Sequence, residues 1–173
     1  VHDGTAHAGS ALHAEGERWR AALAGAGLRA GDRVLLALPP GPGFVARLLG
    51  ALRLGLTVAL APPGAGEALL DEVDARLPLD DDRLAATRAR GEPTPDARFL
   101  VRTSGTTGAP RWIALSDANV QAVLASHDHA LPPAGGVVLS LLPWHHAFGL
   151  VMELLPALAR AAARVRVDAR DRV

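Results

Sequence analysis

Leu100-Val101-Arg102-Thr103-Ser104-Gly105-Thr106-Thr107-Gly108-Ala109-Pro110-Arg111 is the segment around which the rest of this chain arranges itself. Residues 99–102 read as a strand, which ends abruptly in hydroxyl residues and glycines. Gly105 and Gly108 permit tight turning with no Cβ in the way. Thr103, Ser104, Thr106 and Thr107 supply hydroxyls, and successive backbone N–H groups can form an anion nest. Arg111 closes the segment with a planar guanidinium that suits phosphate oxygens. The pattern is not a Walker A loop, which needs Gly-x-x-x-x-Gly-Lys-Ser/Thr. By spacing alone, a phosphate-holding loop and an ordinary polar connection between strands both stay open.

Working outward, residues 112–115 read as a short strand and Ser116 as the cap of a helix over 117–128. Asp117 in its first turn suits the helix dipole. Residues 132–136 form a loop, 137–142 a strand stopped by Pro143, and 147–162 a helix that Pro156 should kink. A last strand spans 165–167. Toward the N-terminus, 10–26 reads as an amphipathic helix capped by Ser10, with Leu12, Trp19 and Leu23 on one side. Residues 34–38 and 57–60 are continuous apolar runs bounded by Gly and Pro, the pattern of buried strands. A helix over 44–54 with Gly55 as its stop joins them, which predicts a parallel crossover. Residues 64–98 hold a helix at 67–76 and an acidic run at 80–82, which reads as a solvated surface.

Composition bounds the rest. The chain has 173 residues, of which 49% are hydrophobic and 3% aromatic, so its core is aliphatic. Formal net charge is zero, with Arg supplying every basic side chain. That balance offers no basic stripe for nucleic acid. There is no Cys, which excludes disulfides and thiolate metal sites and fits a reducing, cytoplasmic setting. The greasiest stretch, 44–62, is broken by Arg47 and Arg53, so no membrane span is expected. The first residue is Val1, which fits either an excised piece of a longer chain or a reading frame with an unusual start.

The segment 103–111 resembles the signature loop of the adenylate-forming (AMP-binding) superfamily, usually Thr-Ser-Gly-Thr-Thr-Gly-x-Pro-Lys-Gly. That superfamily includes acyl-CoA synthetases and the adenylation domains of peptide synthetases. Three further stretches agree in order: Gly31-Asp32-Arg33-Val34, Leu52-Arg53-Leu54-Gly55 with Pro62, and Leu142-Pro143-Trp144-His145-His146-Ala147-Phe148-Gly149. The last is similar to the family's Pro-Leu-Phe-His-x-x-Gly motif, with His146 at the motif histidine.

The resemblance implies an α/β fold: a layered, mostly parallel sheet flanked by helices, here a truncated N-terminal domain. Residues 1–63 form its first βαβ part, 64–98 a shortened connection, and 99–173 the part with the loop and the His motif. It implies ATP-dependent activation of a carboxylic acid to an acyl-AMP, with CoA or a carrier protein as the next acceptor. Thr103, Ser104, Gly105, Thr106, Thr107, Gly108 and Arg111 would hold the nucleotide, with Arg111 and His146 as catalytic residues. ATP and Mg2+ are the implied cofactors. The family's metal and ribose ligands and its catalytic Lys lie in later segments, so a missing C-terminal half is a further implied partner and the isolated chain is expected to be inactive. Two departures stand beside the loop: Arg111 replaces the family Lys, and Trp112 replaces the glycine after it. A non-enzymatic interaction module and an unrelated nucleotide hydrolase are the rival readings. His127, His129, His145 and His146 show no metal-ligand spacing, and Trp144 and Phe148 read as core or pocket wall.

Overall fold

The computed structural model describes residues 5–65, 68–79, 96–103, 110–128, 137–160 and 163–166. Four parallel strands, β1 (Arg33–Leu36), β2 (Thr57–Leu60), β3 (Leu77–Pro78) and β4 (Ala97–Arg102), make the main sheet. β5 (Trp112–Ser116) adds antiparallel to β4, giving the order β3-β1-β2-β4-β5. A second, two-stranded parallel sheet pairs β6 (Val137–Ser140) with β7 (Ala163–Arg166). The fold is the expected α/β arrangement with a mostly parallel sheet.

Period-two alternation explains its layers. Val34, Leu36, Val58 and Leu60 face one side and pack with Trp19, Leu23, Phe44 and Leu48. Those residues come from α1 (Gly9–Gly25) and α2 (Pro42–Arg53). Leu35, Ala59 and Leu100 face the other side, under Leu69 and Leu70 of α3 (Ala68–Glu72) and Val73. Both faces are covered, so β1 and β2 are apolar after their first residues, Arg33 and Thr57. The crossover between them is helical and the strands are parallel, as the sequence predicts.

α2 stops where Gly55 takes a φ of 77°. Gly55 N–H then donates to Leu52 C=O, and Leu56 N–H to Ala51 C=O, both at 3.0 Å. This satisfies two carbonyls that the helix end would otherwise leave open. Buried Asp32 accepts from Arg29 N–H at 2.8 Å and from the Arg76 guanidinium at 2.7 Å, tying the turn before β1 to the start of β3.

Four expectations change. Ser10 lies inside α1, whose N-cap is Ala8 with no side-chain bond. The helix predicted over 67–76 is only α3, and the chain beyond it forms β3, so the connection 64–98 contributes a strand to the sheet. The strand predicted over 137–142 ends at Ser140, because the amides of Leu141 and Leu142 both bond the Glu153 carboxylate. The helix predicted over 147–162 divides into α5 (Ala147–Gly149), a π turn (Leu150–Leu154) and α6 (Leu155–Ala159). Pro156 sits in the first turn of α6. Having no N–H, it cannot continue the α ladder, and the turn before it widens instead. α4 (Asp117–Ser126) begins at Ser116 as expected, with a reciprocal cap: Asn119 N–H donates to Ser116 Oγ at 3.2 Å and Ser116 N–H to Asn119 Oδ1 at 3.0 Å. Among the described residues, no helix is long and apolar enough to cross a membrane.

Candidate functional site

β4 delivers the key segment at the carboxyl end of the parallel strands. This is the side where open α/β sheets gather ligands. The Thr103 amide donates to Arg111 C=O at 2.9 Å, and the Arg111 amide donates to Thr103 Oγ1 at 3.0 Å. These two bonds extend the β4–β5 ladder by one rung and clamp the loop at its mouth. Ser104, Gly105, Thr106, Thr107 and Gly108 lie outside the described residues. Thr103 Oγ1 therefore acts first as an acceptor inside the hairpin, and its O–H is left to donate elsewhere. Arg111 is exposed. Among the described residues its guanidinium meets no ion-pair or hydrogen-bond partner.

The clamp has a support that sequence reasoning missed. Arg102 and Trp112 are cross-strand partners directly below it. Glu72 at the end of α3 accepts from Trp112 Nε1–H at 3.0 Å and from the Arg102 guanidinium at 3.3 and 3.4 Å. Trp112 also packs against the α3-side core. Forty residues separate Glu72 from Trp112 in the chain, so no local pattern could have joined them.

The His motif follows β6. Buried Trp144 meets Phe44 edge-on, with ring centroids 5.4 Å apart, which fastens the motif to the main core. Its Nε1–H donates to Ser140 Oγ at 3.0 Å, and Ser140 O–H donates to Glu153 at 2.5 Å. Glu153 also accepts from the amides of Leu141 and Leu142, so one carboxylate in the π turn holds the whole turn after β6. Ser140 and Glu153 were likewise missed, because a lone Ser and a lone Glu carry no signal until the fold pairs them.

His146 is exposed and stands at the N-cap of α5 without a side-chain cap bond. His145 lies beside it, with ring centroids 4.4 Å apart. Burial, and to a lesser degree the neighbouring His146, together push the His145 imidazole down from 6.5 to about 4. Phe148, expected in core or pocket wall, is 63% exposed. The structure thus fixes two separate pieces, the Thr103–Arg111 clamp and the His145–His146 turn. No hydrogen bond or ion pair is recorded between them. His127 caps the end of α4, and His129 lies outside the described residues. The described residues contain no cluster of three or more His, Asp or Glu able to hold a metal ion.

The family model described as AMP-binding enzyme matches residues 67–172. The putative fatty-acid–CoA ligase fadD25 of Mycobacterium tuberculosis is 34% identical over 105 residues, covering 56% of this chain and 18% of its own length. The sulfoacetate–CoA ligase of Cupriavidus necator is 30% identical across 82% of this chain and 36% of its own. The o-succinylbenzoate coenzyme A synthetase of Bacillus subtilis, solved with ATP and a magnesium ion, superposes with a TM-score of 0.75. That match covers 99% of this chain and 54% of that one, and at 16% identity it shows the fold alone. The chain therefore spans between 18% and 54% of the length of these proteins.

Proposed function

This chain belongs to the AMP-binding enzyme family, whose relatives named above include acyl-CoA ligases, and from that premise we propose that it is the phosphate-holding portion of a ligase that joins a carboxylic acid to the adenylyl group of ATP. The observation that carries this reading is the clamp. Two backbone-anchored bonds between Thr103 and Arg111 close a hydroxyl- and glycine-rich loop at the carboxyl end of β4, with an exposed guanidinium at its rim.

The residues present fit an anionic tail. Thr103, Ser104, Gly105, Thr106, Thr107 and Gly108 offer hydroxyls and close backbone approach, and Arg111 offers a bidentate cation. A carboxylate oxygen attacks the α-phosphorus and pyrophosphate leaves. Such chemistry depends mainly on positioning and on neutralising charge that builds on the leaving oxygens. Arg111 supplies that neutralisation, while His146, exposed beside a largely neutral His145, lines the acyl side. A magnesium ion would ride on the phosphate oxygens of ATP, neutralising charge there. Transfer to CoA or a carrier protein, and a cytoplasmic location, belong to the same proposal for the whole protein. Phosphate binding is what we assign to this portion, and the chain alone is expected not to complete the reaction.

Calorimetric titration with pyrophosphate and with magnesium–ATP tests the assignment. The wild-type chain binds both, and Arg111→Ala weakens pyrophosphate by roughly tenfold or more, the size of one lost charge-assisted hydrogen bond. Arg111→Lys keeps the charge and recovers part of the loss. No binding by the wild type, or equal binding by Arg111→Ala, overturns it. Phosphate release from ATP with no carboxylic acid present points to a hydrolase instead.

A further inference from the structure

Trp112 takes the place where the resembled loop continues with glycine, and the structure gives that bulk a task. Its indole N–H is directed at the Glu72 carboxylate, 3.0 Å away. The same carboxylate holds the Arg102 guanidinium through both oxygens. Arg102 Nε is buried and finds no acceptor of its own, so the Glu72 carboxylate and the Trp112 ring, its centre 6.0 Å from the guanidinium carbon, are what the described structure offers to orient that side chain. Arg102 and Trp112 are the last paired rung of the β4–β5 ladder, and the next residues outward are Thr103 and Arg111 themselves. A carboxylate on α3 thus grips both strands one residue below the clamp.

We propose that Glu72 is a positioning residue: through Trp112 and Arg102 it fixes the placement of the Thr103–Arg111 clamp, and so sets the affinity of the loop for a polyphosphate. The proposal rests on the phosphate-binding reading above for its second half only. A β-hairpin end is free to fray unless its last rung is held from outside. Here the holding group comes from the opposite layer of the fold, so the loop's mouth is tied to the core beneath α3 and not merely to its own strands. Glu72 also pairs with Arg102, so that among the described residues at the clamp Arg111 is the cation left to meet the ligand.

The test combines amide hydrogen exchange with pyrophosphate titration of the full chain. The variants are Glu72→Ala, Trp112→Phe and the pair together. Ala is a good helix former, so the first is expected to keep α3 folded, and unchanged exchange in β1 and β2 checks that. Glu72→Ala speeds exchange at the Thr103 and Arg111 amides by about tenfold and weakens pyrophosphate by about fivefold, as expected for loss of a modest hydrogen bond. Trp112→Phe, which keeps the ring but not the N–H, shifts both readouts in the same direction by a smaller amount, since Glu72 still holds Arg102. The double variant is little worse than Glu72→Ala alone, because that substitution already removes the acceptor of the indole N–H.

Exchange at the two amides unchanged in Glu72→Ala overturns the proposal whatever the binding result. So does faster exchange with unchanged pyrophosphate affinity, or full additivity of the two substitutions. If the wild type binds no pyrophosphate, the phosphate reading fails and the affinity half of this proposal with it, while the exchange rates still decide whether Glu72 places the clamp.

Discussion

His145 and His146 are adjacent and their rings nearly touch, and His145 is held far below its ordinary titration range. The cause is chiefly burial, which disfavours the charged imidazolium, with the neighbouring imidazole acting in the same direction. This has a consequence for stability. The folded-state value, about 4, lies below the ordinary 6.5 that the unfolded chain retains. Between these values the unfolded chain binds the proton more readily, so falling pH favours unfolding. The stabilising effect is complete above 6.5, is lost progressively down to about 4, and changes no further below that. Other carboxylates titrate in the same window, so the measurement is a difference. Urea midpoints of the wild type and of His145→Asn are compared from pH 7 to pH 4. The wild type should lose more stability across the window than the variant does. Parallel curves would mean that His145 is not held neutral by its surroundings.

Close approach governs the elements. α1 crosses α2 at Gly16 and Gly50, and a Cβ at Gly50 would lie 2.6 Å from Trp19 Cβ and 2.9 Å from both Arg20 N and Gly16 O. Two of those neighbours are backbone, so they cannot rotate away. Nearby, the Arg47 guanidinium lies 4.3 Å from the centre of the Trp19 ring, which limits sideways movement as well. Gly50→Ala gains helix propensity of about 1 kcal/mol but forces overpacking that costs about 1–3 kcal/mol. The expected outcome is a net loss of stability in urea unfolding. Gly25→Ala, at a position with nothing within 4 Å, supplies the control and should be neutral or slightly stabilising.

The sequence disclosed these elements unevenly, for physical reasons. β2 was legible to the residue, because Thr57–Leu60 is an apolar run between Gly55 and Pro62. The Ser116 cap was legible because capping is local chemistry. β3 was not, since two residues, one of them Pro78, carry no periodicity. It exists because the Arg76 and Leu79 amides reach the Arg33 and Leu35 carbonyls. The same divide runs through the candidate site. The strand leading into the loop could be read from the chain, and Thr103 and Arg111 could be picked out as candidates though not the bonds that join them, whereas Glu72 and Glu153 act across 40 and 11–13 residues and appear only once the layers meet.

At the scale of the molecule, the clamp and the folded core are linked through β4, so an anion bound at the loop should stabilise the whole cooperative unit. Leu100 and Val101 in β4 are buried on opposite sheet faces, each in a different core cluster. Opening the loop's mouth therefore draws on both layers at once. A ligand that binds only the folded chain, at a hundred times its dissociation constant, adds about 2.7 kcal/mol. For a domain of this size each kcal/mol raises Tm by about 2–4 °C, so saturating pyrophosphate should raise it by about 5–10 °C. Arg111→Ala, binding about tenfold more weakly, should remove about half of that rise at the same pyrophosphate concentration. Added salt should reduce it too, because an exposed guanidinium attracts phosphate through a medium that salt screens. A rise that is equally large in the variant would place the anion elsewhere on the molecule. A rise that survives high salt would mean the ligand is held mainly by buried amides and hydroxyls and little by the charge at the rim, which would shift the weight of recognition from Arg111 to the loop backbone.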